Sequence, residues 1–368
     1  MALATTPIPV SDPRRAALAH RDQLAAVFAR VLDSGRYIHG PEHDAFEAEF
    51  SSFLGVRHCI ALASGTDALE LALIAVGCRP GDSVLTAANA GGYASAAARK
   101  AGFQVRLADV DPATLCLSRA TVEAALSAEV RAVVVTHLYG VLADAEGIVA
   151  LCREGGIAVV EDCAQAAGAR RGAWRAGGFG DAATFSFYPT KNLAALGDGG
   201  AVTTKRDDVA DAVRLLRQYG WKRKYEVTIP AGRNSRLDEV QGAVLRERLP
   251  RLDDWNERRR AIVRRYARAL APRVGRFVSR EGDDYVAHLA VVLTEERDRL
   301  RDHFAKAGIG TDIHYPVADH QQPAWCDEFA DLSLPVTEHA VRCVLTLPCF
   351  PELTDEEIER VCEALDGI

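Results

Sequence analysis

The sequence predicts an α/β protein with a large wound domain followed by a smaller α+β domain. The 368 residues are enough for both domains. Over the first ~200 residues, short β-rich runs alternate with helical patterns, as in a wound sheet. The runs Val133–Val135 and Val159–Val160 are wholly apolar, which is typical of strands buried on both faces. We place the large domain at residues 1–245 and the smaller one at residues 246–368.

The large domain contains seven apolar runs that predict strands. These are His58–Ala63, Ser83–Ala87, Gln104–Ala108, Ala132–His137, Ala158–Glu161, Ala183–Phe187 and Gly200–Thr204. Helical patterns lie between them, and the helices are expected to begin near Thr66, Tyr93, Arg119, Asp144 and Asp207.

A long helical pattern over Arg236–Leu270 leads into the smaller domain, and Pro250 is expected to kink or split it. We interpret the arginines of Arg258–Arg260 and Arg264–Arg265 as a solvated helix face paired with nearby acids. The predicted elements that follow are a strand (Val286–Leu293), a helix (Glu295–Ala307), a loop rich in His, Pro and Gln (Gly308–Gln322) and a last helix (Asp355–Leu365).

Composition excludes several classes of function. The net charge of -7 disfavours nucleic-acid binding. The nine cysteines show no CxxC and no Cys/His ligand spacing, so we expect reduced thiols and no metal site. No apolar run reaches membrane-spanning length, and Met1–Pro13 lacks the pattern of a signal peptide. We therefore expect a cytoplasmic protein with no membrane partner.

The most informative stretch carries Lys191. A short apolar strand ends in the turn Tyr188–Leu193, and a glycine-rich turn, Gly197–Gly200, leads into another strand. Desolvation at the mouth of a buried strand lowers the pKa of a lysine and frees its amine as a nucleophile toward a carbonyl. The alternative is an ordinary surface lysine.

Two other segments suit a ligand with an anionic and a cationic end. Ser64, Gly65 and Thr66 open a helix after a strand, and free N–H groups at that position suit a phosphate; the alternative is a plain N-cap. Asp162 ends a buried strand and needs a cationic partner if it is ionised; the alternative is an acid that caps the next turn.

An anion cradle, a buried carboxylate and an activated amine are the three functions needed to bind one aldehyde cofactor. Pyridoxal 5′-phosphate (PLP) has a phosphate, a pyridine nitrogen and an aldehyde. A protein that binds PLP holds its ring so that the electron sink is aligned with the bond to be broken.

Motifs along nearly the whole chain match one family in order: Gly35–Pro41, Ser64–Leu69, Asp109–Asp111, His137–Gly140, Glu161–Gln165, the Lys191 run, Asn234–Gln241 and His314–Pro316. The chain thus resembles the nucleotide-sugar aminotransferases of the DegT/StrS type, within fold type I PLP enzymes. The resemblance implies an aspartate aminotransferase-like fold, with a mostly parallel seven-stranded sheet between helices. It also implies ping-pong transamination, in which an amino donor converts PLP to pyridoxamine phosphate (PMP).

The resemblance implies a role for each matched residue. Lys191 binds the cofactor aldehyde and then carries the proton, and Asp162 pairs with the pyridinium nitrogen. Gln165 lies near the 3-oxygen of the ring, and Ala164 packs on one ring face. The remaining implied cofactor contacts are to the phosphate, from Gly65, Thr66 and Ser186 and from Asn234 of the neighbouring subunit in a homodimer.

One position departs from the family pattern. The family usually has an aromatic residue two positions after the Asn of its Pro-Ala-Asn motif, where it stacks on the pyridine ring. This chain has Gly91 two positions after Asn89. We predict that Tyr93 takes the stacking role; the alternative is that Tyr93 packs in the core at the start of its helix.

Tyr188 and Asp198 resemble the branch that aminates C3 of a dTDP-linked 3-keto-6-deoxyhexose, with L-glutamate as donor and 2-oxoglutarate as by-product. The branch that aminates C4, of the perosamine-synthase kind, more often has His and Glu at these two positions and is the alternative. Predicted substrate contacts are Tyr188, Tyr219, Lys224, Tyr225, His314, Tyr315 and His320.

Three other functions are weighed against this one. A PLP-dependent sugar dehydratase of the same fold would have His in place of Lys191. A non-catalytic regulatory or binding protein is opposed by the intact Lys191, Asp162 and Ser186. A nicotinamide dehydrogenase is disfavoured because no GxGxxG opens a helix after the first strand.

Overall fold

The computed structural model describes residues 6–368. The first five residues of the segment Met1–Pro13, which is expected to lack a targeting signal, lie outside the described residues. The helices are α1 Pro13–Ala19, α2 Arg21–Ser34, α3 Pro41–Leu54, α4 Gly65–Ala75, α5 Tyr93–Lys100, α6 Arg119–Ala125, α7 Ala145–Glu154, α8 Asp207–Leu216, α9 Glu239–Arg248, α10 Leu252–Ala269, α11 Arg297–Lys306, α12 Pro335–Cys343 and α13 Asp355–Asp366. The strands are β1 His58–Leu62, β2 Ser83–Ala87, β3 Gln104–Ala108, β4 Val130–Thr136, β5 Ala158–Asp162, β6 Arg170–Arg171, β7 Trp174–Arg175, β8 Ala182–Ser186, β9 Gly200–Thr204, β10 Trp221–Arg223, β11 Glu226–Val227, β12 Arg276–Phe277, β13 Ala290–Leu293 and β14 Val344–Leu347.

The central sheet has seven strands in the order β1-β9-β8-β5-β4-β2-β3. Only β9 runs antiparallel to its neighbours, β1 and β8, and the other pairs are parallel. All seven predicted strands are present, and three of them have the predicted bounds. The predicted α/β fold with a mostly parallel seven-stranded sheet is therefore confirmed.

Helices cover both faces of this sheet. Successive residues of a strand point to opposite faces, so Val133 and Val135 pack in one hydrophobic cluster while Val134 packs in another. The cluster with Val134 includes Leu69 of α4 and Val209 of α8. Burial on both faces explains why the stretch Ala132–Val135 of β4 is continuously apolar rather than alternating.

The C-terminal region forms a three-stranded antiparallel sheet, β12-β13-β14, together with α10 to α13. Its side chains Val291 and Leu345 belong to the same buried cluster as Val133 of the central sheet. The core is thus continuous between the two regions. The predicted boundary between residues 245 and 246 falls within α9, and the division into two domains stays a proposal.

Two predictions about this region have different outcomes. The long helical pattern is split as expected, because Pro250 lies in a 3₁₀ turn, Leu249–Arg251, between α9 and α10. The predicted strand Val286–Leu293 is wrong in its first half, since β13 begins only at Ala290. The reason is the left-handed backbone of Ala287, with φ of 47°, which a pleated strand does not accommodate.

All nine cysteines carry free thiols, and seven of them are buried. None of the helices within residues 6–368 combines the length and apolarity that a bilayer crossing needs. The cytoplasmic location expected from the sequence stays a prediction.

Candidate active site

A cavity of about 750 Å³ opens at the carboxyl ends of the parallel strands. Its wall includes Thr136, Asp162 and Ser186, which are the last residues of β4, β5 and β8. The start of α4 and residues of the C-terminal region, among them Tyr315, also line it. Open α/β sheets bind ligands at this edge, so the cavity is the candidate active site.

Lys191 lies in the turn after β8 and lines the cavity. Its backbone N–H donates to the Tyr188 carbonyl at 2.8 Å, which holds the turn. Burial lowers the pKa of the Lys191 ammonium from 10.5 to about 8, although the charge of Asp162 acts in the opposite direction. A substantial fraction of the side chain is therefore neutral amine near pH 8, the form that attacks carbonyl carbons.

In cofactor-free protein, labelling of Lys191 by an amine-reactive reagent is expected to rise through about pH 8, because only the neutral amine reacts and its pKa is about 8. For a lysine with an unperturbed pKa, the midpoint of labelling lies at about pH 10.4. Mass spectrometry of the labelled peptides measures this. A labelling midpoint for Lys191 at the pH of an unperturbed lysine would contradict the lowered pKa.

Asp162 is buried at the cavity wall, and its carboxylate accepts from two donors among the described residues. Ala164 N–H donates to one carboxylate oxygen at 3.0 Å, and the Thr136 hydroxyl donates to the other at 3.3 Å. Burial raises the pKa of Asp162, while the Ala164 hydrogen bond and the charge of Lys191 lower it. Within residues 6–368 no cation forms an ion pair with Asp162, so a ligand cation would complete its coordination.

The carboxylate of the preceding residue, Glu161, is hydrogen-bonded on both oxygens by protein groups. Its carboxylate accepts from the N–H groups of Gly177, Phe179 and Gly180 at 2.8 to 3.0 Å, and His137 Nε2 lies 3.0 Å away. Burial acts to raise the pKa of Glu161, but these hydrogen bonds and His137 outweigh it and hold the pKa below its ordinary value. The two adjacent acids therefore have different roles: the carboxylate of Glu161 stabilises the fold, and that of Asp162 faces the cavity.

The start of α4 forms the anion-binding end of the site. The Ser64 hydroxyl accepts from Asp67 N–H at 3.1 Å, so Ser64 is the N-cap. The N–H groups of Gly65 and Thr66, in the first turn, have no partner within the helix. A Cβ on Gly65 would lie 2.7 Å from Cβ of Ser186, so only glycine allows this close approach. The three predicted phosphate contacts Gly65, Thr66 and Ser186 are thus brought together at the cavity wall.

The departure at Gly91 has a structural explanation. Gly91 has φ of 76°, and a Cβ there would lie 2.9 Å from the ring of Tyr315. Tyr315 therefore occupies the space that an aromatic residue at this position would need. Its hydroxyl accepts from Gln165 Nε2 at 3.0 Å. Tyr93 also lines the cavity, is half exposed, and contacts Tyr315 edge to face at 6.0 Å, so it does not pack in the core.

The predicted substrate contacts divide into three groups. Tyr188, His314 and Tyr315 line the cavity. The prediction for His320 is corrected: a 3₁₀ turn, Asp319–Gln321, buries its ring outside the cavity, where Nε2 lies 3.3 Å from Glu338. The remaining predicted residues are exposed and do not line the cavity of their own chain: Tyr219, Lys224 and Tyr225, together with the predicted phosphate contact Asn234.

Arg259 is a site residue that the sequence interpretation missed. It is not part of a solvated face: it is buried, lines the cavity, and donates to the Cys349 carbonyl at 2.6 Å. None of the described carboxylates forms an ion pair with it. Helical spacing could have found it, because Arg259 is in phase with the buried residues Ile262 and Tyr266 of α10. Of the other arginines of the run, Arg260 and Arg264 pair with Glu257 within the helix as predicted, whereas Arg258 and Arg265 pair with Asp355 and Glu359 of α13.

Comparison with known proteins identifies the same chemistry. Residues 19–366 match the profile of the DegT/DnrJ/EryC1/StrS aminotransferase family. The dTDP-3-amino-3,4,6-trideoxy-alpha-D-glucose transaminase of Streptomyces venezuelae is 42% identical over 98% of this chain and 96% of its own. The erythromycin biosynthesis sensory transduction protein EryC1 of Saccharopolyspora erythraea is 41% identical over 97% and 98%. The crystal structure of S. venezuelae DesV in complex with a ketimine intermediate superposes with a TM-score of 0.95, at 41% identity over 99% and 98% of the two chains.

Proposed function

Because the chain belongs to the DegT/DnrJ/EryC1/StrS aminotransferase family, we propose that it moves the amino group of L-glutamate to C3 of a dTDP-linked 3-keto-6-deoxyhexose. The products are a dTDP-amino sugar and 2-oxoglutarate. One observation carries the proposal: Lys191, with its lowered pKa, and Asp162, without a cationic partner, line the same cavity. The 42% identical relative that is named for a 3-amino sugar supports the carbon.

PLP is the cofactor of this family, and the residues present fit it. The carboxylate of Asp162, which lacks a cation, suits the protonated pyridine nitrogen. The free N–H groups at the start of α4 suit the phosphate. When bound, the cofactor supplies an electron sink that allows the bond from the donor Cα to hydrogen to break.

The side chains of the cavity have distinct tasks in this proposal. Lys191 holds the cofactor and then moves a proton at its Nζ. Asp162 keeps the ring nitrogen protonated. Gln165 donates from Nε2 to Tyr315, which orients its side chain at the cavity wall, and there it would hold the 3-oxygen of the cofactor. Tyr93, which contacts Tyr315, is proposed to cover one face of the cofactor ring.

Arg259 supports a carboxylate-bearing donor. It is the one arginine among the described residues that line the cavity, and no protein carboxylate neutralises it. A buried cation without a partner favours an anionic ligand. L-Glutamate brings two carboxylates into the cavity, and Arg259 is proposed to bind one of them.

The choice between C3 and C4 is tested with two acceptors. With L-glutamate as donor, kcat/KM for a dTDP-3-keto-6-deoxyhexose is expected to exceed that for the 4-keto isomer by at least about 10²-fold. A discrimination of this size is typical of a site that hydrogen-bonds one hydroxyl pattern and leaves polar groups unpaired with the other. Formation of 2-oxoglutarate measures the rate. Preference for the 4-keto sugar would replace this proposal with the perosamine-synthase-like alternative.

The active form is proposed to be a homodimer with shared cavities. Asn234 and the aromatic hairpin of β10 and β11 are exposed and lie away from the cavity of their own chain. In the hairpin, Trp221 contacts the rings of Tyr219 and Tyr225 at 4.8 and 5.3 Å. Exposed aromatic residues of this kind are enriched at interfaces. We propose that these residues reach the neighbouring cavity, with Asn234 at the phosphate.

Subunit mixing is expected to restore activity if the cavities are shared. Chains with Lys191→Ala and chains with Asn234→Asp should each be inactive or nearly so. In a mixed dimer, one cavity combines an intact Lys191 with an intact Asn234 from the other chain. Co-expression with two different tags, tandem purification and assay would measure this. A mixed dimer no more active than the single variants would place Asn234 in its own chain's site or outside any site.

A further inference from the structure

Asn234, the proposed phosphate contact to the neighbouring cavity, has an exposed side chain that makes no hydrogen bond within residues 6–368. The residues on either side of it are bound to the protein. Arg233 and Ser235 each bind an acid of α4, the helix whose first turn forms the proposed phosphate site of its own cavity. The free amide is therefore carried by a segment that is fixed on both sides.

The first link is an ion pair between Arg233 and Glu70. The guanidinium donates from Nη1 to one carboxylate oxygen and from Nη2 to the other. A bidentate pair of this kind fixes the orientation of the guanidinium as well as its position. Glu70 is only 2% exposed, and Nζ of Lys100 lies 3.1 Å from its Oε2 as a second cation.

The second link is the hydroxyl of Ser235, which is fully buried. It donates to Oδ2 of Asp67 at 2.8 Å and accepts from the N–H of Ala63 at 3.2 Å. Asp67 lies in the first turn of α4, where its own N–H donates to the N-cap Ser64 at 3.1 Å. This link therefore joins the segment directly to the turn that forms the phosphate site.

The backbone of the segment is paired on its other side with the chain that follows α8. The N–H of Arg233 donates to the Leu216 carbonyl at 2.8 Å, and the N–H of Ser235 donates to the Arg217 carbonyl at 2.9 Å. The carbonyl of Arg233 accepts from Tyr219 N–H at 2.9 Å. Side chains alternate along an extended segment, so the side chain between these two residues points away from α4.

We propose that Arg233 and Ser235, through their bonds to α4, form a clamp that presents Asn234 to the phosphate in the neighbouring cavity. One helix then serves two phosphates. Its first N–H groups face its own cavity, and its acids Asp67 and Glu70 hold the segment that reaches the other. Arg233 is a positioning residue because it acts through Asn234, and the inference rests on the proposed function, in which the cavities of a homodimer are shared.

The test compares the binding of PLP with that of pyridoxal, which has the aldehyde but no phosphate, by the visible band that each gives with Lys191. Arg233→Met removes both hydrogen bonds, while Lys100 still neutralises Glu70, so the chain should fold. The apparent dissociation constant for PLP is expected to rise about 10-fold, as for the loss of one hydrogen bond to a charged group. That for pyridoxal should not change. Arg233→Lys, which keeps the charge, should lie between the wild type and Arg233→Met.

A double variant separates positioning from direct contact. Asn234→Ala should weaken PLP binding at least as much as Arg233→Met, and Arg233→Met should add little to it, because both remove the same contact. Additive effects would overturn the inference, and so would wild-type PLP affinity in Arg233→Met. If Asn234→Ala leaves PLP affinity unchanged, the proposed sharing of cavities fails, and the inference fails with it.

Mixed dimers show which cavity Arg233 serves. When an Arg233→Met chain is paired with a Lys191→Ala chain, the one cavity that gives the band receives Asn234 from an intact clamp. PLP should then bind as in the wild type. When one chain carries both substitutions and the other is wild type, the band should require about 10-fold more PLP. The reverse order would place the effect of Arg233 in its own cavity and overturn the inference.

Arg175→Met is the matched control. Arg175 forms a similar bidentate pair with Asp253, at 2.9 and 2.8 Å, and lies outside the cavity. Its side chain is 19% exposed, against 23% for Arg233. This variant should keep the wild-type affinities for PLP and pyridoxal. An equal loss of PLP affinity in Arg175→Met would reveal a general effect of losing an ion pair and overturn the specific role of Arg233.

Discussion

Replacing Lys191 with alanine is expected to reduce amino transfer by at least about 10³-fold, since the residue serves both as nucleophile and as proton carrier. Lys191 is the one lysine among the described residues that line the cavity, and burial brings its pKa to about 8. No neighbouring amine can substitute for it. Formation of 2-oxoglutarate at saturating PLP, glutamate and keto sugar measures the loss.

Lys205→Ala is the matched control for this variant. Burial also lowers the pKa of Lys205, but its Nζ donates to the Gly178 carbonyl at 2.6 Å and lies over the Trp174 ring, outside the cavity. This variant should keep wild-type turnover to within a small factor. A Lys191→Ala enzyme as active as the Lys205→Ala enzyme would exclude the assigned chemistry.

Asp162→Asn is expected to lower kcat by about 10² to 10³-fold, because it removes the charge that keeps the ring nitrogen protonated. The substitution should not destabilise the fold. Burial raises the pKa of Asp162, so the free energy of unfolding of the cofactor-free protein falls as the pH rises from the ordinary pKa of an aspartate to this raised value. At pH 7 the cofactor-free variant should therefore be at least as stable as the wild type. Kinetics and urea denaturation measure the two effects.

Replacement of the adjacent acid, Glu161, is expected to have the opposite effects: a loss of stability with little loss of kcat. Glu161→Gln places an amide group against backbone N–H donors and His137, and it should lower the free energy of unfolding by about 3 kcal/mol. Enzyme that remains folded should still bind PLP and turn over. If the two variants had the same effects on stability and on kcat, the division of roles between Glu161 and Asp162 would be wrong.

The central sheet could be predicted from sequence because most of its strands are buried on both faces; the exception is β3, in which Gln104 and Arg106 are exposed. Continuous apolar runs such as that of β4, bounded by turns and separated by helical patterns, leave little choice of structure. The C-terminal region was less predictable. The strand expected from Val286 is cut short by the backbone at Ala287, whose left-handed conformation depends on tertiary contacts rather than on its own sequence.

Much of the site was predictable for a chemical reason: a cofactor with three functional groups needs three kinds of partner, and Lys191, Asp162 and Gly65 line one cavity. The failures are residues whose role depends on the direction of a side chain. The turn at His320 rotates its ring away from the cavity, and the phase of α10 turns Arg259 inward. The exchange between Gly91 and Tyr315 joins positions far apart in the chain, which a local motif does not reveal.

The central claim is that the amine of Lys191 binds the cofactor in this cavity. The most direct measurement is the absorption spectrum of the PLP-loaded protein before and after borohydride, followed by mass spectrometry of its peptides. We expect a visible band that is lost on reduction, and a phosphopyridoxyl group on the peptide that contains Lys191. No band and no adduct after PLP is added, or an adduct on a different lysine, would contradict the account.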